Sequence, residues 1–127
     1  MKTDDYKILL ADDDPDAVEF LSYNLRNEGY RVYKSYNGNE AISSAEKVKP
    51  ELILLDIMMP DMNGLEVCRK LKKIRPLENT MIAFLTARSD DESFIEGFEA
   101  GCDDYITKPI DIRLLMNKIA KHNLPVT

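Results

Sequence analysis

Ile8-Leu9-Leu10-Ala11-Asp12-Asp13-Asp14-Pro15 is the stretch on which the fold turns. Four apolar residues in a row, with no alternation, read as a strand covered on both faces, as in a parallel sheet between helices. The run stops at three acids. Asp14-Pro15 then has the form of a helix N-cap followed by proline at the first helical position, where a missing N–H costs nothing. Val18, Leu21 and Leu25 keep one apolar stripe through that helix, and Gly29 supplies its C-terminal stop.

The same pattern recurs downstream. Tyr30 to Tyr36 reads as a shorter, more polar strand, suited to a sheet edge and closed by Asn37-Gly38. Ala41, Ile42, Ala45 and Val48 form a second helix face, ended before Pro50. Leu52-Ile53-Leu54-Leu55 is another buried strand and runs straight into Asp56; Asn63-Gly64 marks a turn, and Leu65, Cys68 and Leu71 open a third helix. Met81 to Leu85 is a strand ending at Thr86, and Phe94, Ile95 and Phe98 read as the inward face of a fourth helix that Gly101 terminates. Tyr105-Ile106-Thr107 is a short strand ending at Lys108-Pro109, after which Asp111 caps a last helix carrying Ile112, Leu115 and Ile119 on one side. Strand and helix thus alternate about five times, which predicts an α/β fold with a parallel sheet and helices on both faces. No repeat, low-complexity tract or linker interrupts it, so residues 1–127 are expected to form a single domain.

Composition narrows the function. The 127 residues hold 17 Lys+Arg against 23 Asp+Glu, a formal charge of −6, and are 44% hydrophobic and 31% charged. That is too apolar for a disordered chain, and the negative charge argues against nucleic-acid binding by this domain. No apolar stretch approaches the roughly 20 residues of a membrane span, and the segment Met1 to Tyr6 lacks the apolar core of a secretory signal. Cys68 and Cys102 are too few and too far apart for a zinc site or a disulfide framework, and read as small buried residues in a reducing cytoplasm. Lys70, Lys72, Lys73 and Arg75 read as a solvated helix end.

The chemistry stands where the strands stop. The first ends in Asp12 and Asp13, the third in Asp56, the fourth in Thr86 and the fifth in Lys108. In an open parallel sheet these ends share one rim, where ligands of such folds bind. Three carboxylates within a few ångströms repel, and unaided one of them holds a proton near neutral pH. A divalent cation removes the conflict, and all-oxygen donors favour Mg²⁺ over zinc or copper. Lys108 adds a fixed positive charge and Thr86 a hydroxyl, which together suit a phosphoryl group attached to, or attacked by, a carboxylate. There is no G-x-x-x-x-G-K-[ST] or G-x-G-x-x-G loop, so a bound nucleotide is not the expected donor. His122, the one histidine, reads as a solvated residue at the end of the last helix. The phosphoryl group is expected to come from another molecule.

The run Ile8 to Pro15, the run Leu54-Leu55-Asp56-Ile57-Met58-Met59-Pro60-Asp61-Met62-Asn63-Gly64, the triplet Leu85-Thr86-Ala87 and the run Asp103-Asp104-Tyr105-Ile106-Thr107-Lys108-Pro109 together resemble the receiver domain of two-component response regulators over essentially the whole chain. The resemblance implies a flavodoxin-like, doubly wound five-stranded sheet of order 2-1-3-4-5. It makes Asp56 the phospho-acceptor, Asp13 a direct Mg²⁺ ligand, Asp12 a ligand acting mostly through water, and the Met58 backbone carbonyl a further ligand. Lys108 would pair with the phosphate ahead of a cis peptide to Pro109, and Thr86 and Tyr105 would form the switch pair. Ala11 stands where valine is more usual, and Asp14 has no metal role.

The expected function is therefore a phospho-accepting signalling switch and not a conventional enzyme. It would take a phosphoryl group from a sensor histidine kinase or phosphotransfer protein and report through the fourth helix, fifth strand and fifth helix. Met58 and Arg88 would shield the acyl phosphate from water. The run from Asp103 to Pro109 is similar to receivers of winged-helix transcription factors, which implies a homodimer through that same face, with Asp103, Asp104 and Lys118 as candidates for its ion pairs. A free-standing regulator is the other arrangement. Two rival functions stay open: a haloacid-dehalogenase-type phosphohydrolase using Asp12 and Asp14, and a non-catalytic interaction module of the same fold.

Overall fold

Five parallel strands, β1 (Lys7–Ala11), β2 (Arg31–Ser35), β3 (Leu52–Asp56), β4 (Met81–Thr86) and β5 (Asp104–Thr107), lie in the order β2-β1-β3-β4-β5 in the computed structural model, which describes residues 2–87 and 96–123. Between them run α1 (Pro15–Asn27), α2 (Gly38–Val48), α3 (Gly64–Lys72), a helical segment α4 over 96–99, and α5 (Ile112–Asn123). This is the doubly wound, flavodoxin-like arrangement expected, and the polar strand β2 is indeed an edge.

Alternation along each strand divides the interior into two cores. Leu9, Ala11, Ile53, Leu55, Ile82 and Phe84 pack with Ala41 and Ala45 of α2 and with Val67, Cys68 and Leu71 of α3. Ile8, Leu10, Leu52, Leu54, Ala83 and Leu85 pack on the other face with Val18, Leu21 and Leu25 of α1 and Leu115 and Ile119 of α5. Every residue of β3 is buried. A slip of one residue would exchange its two faces, so the register is strongly specified. That rigidity sets where Asp56 stands.

The helix caps sit just past the strand ends. Asp14 accepts from the Asp16 N–H at 3.0 Å, Asn63 from Leu65 N–H at 2.7 Å, and Asp111 from Leu114 N–H at 3.2 Å. Helix α1 gives way to Gly29 at φ +98°, and α2 stops at Lys49 in the left-handed region (φ 53°) just before Pro50. Asn37 caps α2 by accepting from Glu40 N–H at 2.9 Å, a role its Asn-x-x-Glu spacing announces.

Three expectations change. Phe98 is 57% exposed and not part of the core, while Phe94 and Ile95 lie outside the described residues. Lys72 is not simply solvated: its ammonium donates to the Thr80 carbonyl at 2.9 Å and to Asp103 at 3.2 Å, closing the rim opposite the acids. His122 at the end of α5 has Nε2 3.6 Å from Asp104, so it too has a neighbour.

Two buried serines should respond oppositely to alanine. Ser35 donates to the Leu10 carbonyl at 3.0 Å, whereas the Ser22 hydroxyl on α1 is buried with no partner among the described residues. Ser35→Ala is expected to lower stability by about 1 kcal/mol and Ser22→Ala to raise it by a similar amount, as read by urea unfolding.

Candidate functional site

Strand register assembles the site. Ala11 pairs with Leu55, and Asp56 pairs with Leu85, so Asp12, Asp56 and Thr86 leave neighbouring strands at nearly one level. Thr86 pairs with Thr107, whose successor is Lys108, and the Lys108 N–H donates to the Thr86 carbonyl at 2.8 Å. The order β1-β3-β4-β5 thus brings positions 12, 56, 86 and 108 to one rim, as their places at the strand ends implied. The Lys108–Pro109 peptide is cis.

Asp12, Asp13 and Asp56 each offer a carboxylate oxygen, all within 4.8 Å of one another. Asp12 is 1% exposed and Asp56 7%, whereas Asp13 faces solvent. The Lys108 ammonium lies 2.9 Å from Asp12 Oδ2 and 2.9 Å from Asp56 Oδ2, bridging the two buried acids. Asp12 Oδ1 accepts from Asp14 N–H at 3.0 Å, and Asp56 Oδ1 from Met58 N–H at 2.9 Å. Burial pushes the Asp56 carboxyl above its ordinary value, and the Asp12 charge adds to the shift; the bonds from Lys108 and Met58 offset it only in part. Burial draws Lys108 down, but its bonds to Asp12 and Asp56 outweigh this and hold it above the usual lysine value. Three converging carboxylates, one of them open to solvent, make a donor set of hard oxygens that fits a small divalent cation.

The loop 57–63 is held at both ends. Gly64 N–H donates to the Ile57 carbonyl at 2.7 Å, and a Cβ at Gly64 would stand 2.5 Å from the Asp56 carbonyl oxygen, so a side chain there would displace the end of β3. Met59 and Met62 pack locally, partly buried against the core, while Met58 is 66% exposed. Arg88, paired with Met58 as a water shield in the sequence, lies outside the described residues.

Thr86 is 2% exposed. Tyr105 is 9% exposed, with its ring 5.6 Å from Phe84 and 5.8 Å from Phe98. Gly97 makes room for it, since a Cβ there would overlap the Tyr105 hydroxyl. Beside this ring an open groove of about 420 Å³ follows β5 and α5, lined by Tyr105, Lys108, Leu114 and Lys118 among others. The acids near it serve their own chain: Asp103 accepts from Ile82 N–H at 2.8 Å, and Asp104 pairs with Lys118 at 3.1 Å.

Residues 8–120 match the response regulator receiver domain family, to which this chain belongs. Solved structures agree. The chemotaxis response regulator CheY4 of Vibrio cholerae is 27% identical with a TM-score of 0.88, over 92% of this chain and 98% of that one. A putative response regulator from Chloroflexus aurantiacus is 31% identical with a TM-score of 0.87, over 92% and 96%. The BeF3-activated DrrB receiver domain is 36% identical with a TM-score of 0.83, over 92% and 96%. Receiver domains are phospho-accepting signalling switches of two-component systems, not conventional enzymes.

An acid with a higher pKa folded than unfolded binds more protons when folded. Stability is then full below the ordinary value of 3.8 and is lost as pH rises through the raised value. Asp56→Asn removes that loss and leaves Lys108 paired with Asp12. Without divalent cations the variant is expected to melt above the parent at neutral pH, with the two melting temperatures converging as pH falls toward about 4. Thermal melts across pH check this, and a variant less stable at pH 7 would contradict it.

Proposed function

We propose that Asp56 accepts a phosphoryl group from a phosphohistidine on a sensor histidine kinase or phosphotransfer protein. The observation that carries this reading is the Lys108 ammonium 2.9 Å from both Asp12 and Asp56, beside a third, solvent-facing carboxylate. A buried acid with a cation on one side and open water on the other can meet phosphorus in line. An Asp56 oxygen bonds to phosphorus as the donor's P–N bond breaks, and the leaving imidazole takes up a proton from solvent. Lys108 offsets the charge gathering on the phosphoryl oxygens, and the Thr86 hydroxyl would donate to one of them.

Asp13, Asp56 and the Met58 carbonyl would hold Mg²⁺, with Asp12 acting mainly through water. When bound, the ion neutralises charge on the transferring group. Asp14 is occupied as the α1 cap, which argues against the phosphohydrolase alternative that needs it in the cleft.

The aspartyl phosphate then shifts a conformational equilibrium by its different contacts in two states. Thr86, Lys108 and Tyr105 make those contacts, and the α4–β5–α5 face reads them out to a partner or to a second copy of the chain. Exposed Phe98 and Leu114 (57% and 52%) flank that face and support its use for docking. A histidine-kinase donor places the reaction in the cytoplasm, where the buried thiols of Cys68 and Cys102 stay reduced.

With Mg²⁺ and a small phosphodonor such as acetyl phosphate, one label is expected, mapped to Asp56 by peptide mass spectrometry. Asp56→Asn should abolish labelling, and Lys108→Ala should slow it roughly a hundredfold. The proposal fails if Asp56→Asn still labels while Asp12→Asn does not.

A further inference from the structure

Asp61 has no part in the chemistry above, yet its carboxylate is fully used. Oδ1 accepts from Gly38 N–H at 2.7 Å and Oδ2 from Asn39 N–H at 2.9 Å, across 23 and 22 positions of sequence. These two bonds hold its carboxyl below the usual carboxylate range. The donors are first-turn N–H groups of α2, which have no partner inside the helix. Helix α2 already has its own cap in Asn37, and first-turn N–H groups at a surface are readily served by water. Gly38 is shaped for the contact: a Cβ there would stand 2.9 Å from Met62 Cβ and 3.3 Å from Asp61 Oδ1. The loop 57–63 is thus fastened at three places: to Asp56 through Met58 N–H, to its own far end through Gly64 N–H, and to α2 through Asp61.

We infer that Asp61 is a positioning residue for the cation site: by gripping the first turn of α2 it fixes the loop that brings Met58 to Asp56. The inference rests on the reading of Asp13, Asp56 and Met58 as Mg²⁺ ligands. The coupling is reciprocal, so Mg²⁺ that orders the loop must also hold the Asp61 grip closed. A cap serving α2 alone carries no such linkage.

The test uses MgCl₂ alone, with no phosphodonor, titrated into the full chain and followed by NMR and amide exchange. In the parent, Mg²⁺ is expected to slow exchange at Gly38 and Asn39. Asp61→Ala should weaken Mg²⁺ binding about fivefold or more. Asp61→Asn, which keeps one acceptor oxygen but not the charge, should stay within about twofold of the parent. Unchanged Mg²⁺ affinity in Asp61→Ala overturns the inference, as does an equal loss in both variants, since charge alone would then explain it. A parent that binds no Mg²⁺ overturns the cation-site reading as well, an outcome distinct from a parent that binds and an Asp61→Ala variant that binds equally.

Discussion

One ammonium group holds two carboxylates at the carboxyl end of this sheet. Lys108 reaches Asp12 and Asp56 at 2.9 Å each, and without it two acids at 1% and 7% exposure would face each other unpaired. Buried charges persist only when paired or hydrogen-bonded, and here both acids also accept a backbone N–H. The pairing still leaves Asp56 pushed toward its neutral form by burial, with the Asp13 carboxylate beside it open to solvent. The site is charged and under-neutralised, which is the condition for taking up a cation and then a phosphoryl group.

What keeps the groups in place is the apolar sheet behind them. Strands β1 and β3 are buried on both faces, so a one-residue slip would exchange the side chains fitted to the two cores. The elements that would respond to phosphate lie away from this rigid centre. Strand β5 pairs on one side only, and the Tyr105 ring beside it is held by Phe84, by exposed Phe98 and by the space Gly97 leaves. That ring lies at the margin of the core, against buried Phe84 on one side and exposed Phe98 on the other, whereas Asp56 stands at the end of a strand buried along its whole length.

Much of this was legible from residue order. Unbroken apolar runs ending in Asp, Thr or Lys identify both the buried strands and the rim, because a strand covered on two faces leaves polar chemistry nowhere else to stand. Asp14-Pro15 and Asp111 were readable as caps because capping is local. Contacts across long separations were not: nothing near Asp61 shows that it binds the start of α2, and nothing near Lys72 points to Thr80 and Asp103. Phe98 was misplaced because helical period locates a stripe without showing whether anything covers it. The site's residues were legible; the bonds that hold its loops were not.

On the proposed reading, residues at the ends of four strands act on one phosphoryl group attached to Asp56. A crystal structure of the chain grown with Mg²⁺ and beryllofluoride, which mimics an acyl phosphate, tests it most directly. Beryllium is expected to be bonded to an Asp56 oxygen, with the Lys108 ammonium turned to a fluoride and Mg²⁺ about 2.1 Å from oxygens of Asp13 and Asp56. Beryllium bonded to Asp12, or an Asp56 carboxylate still locked to Lys108 with no adduct at saturating reagent, would contradict it.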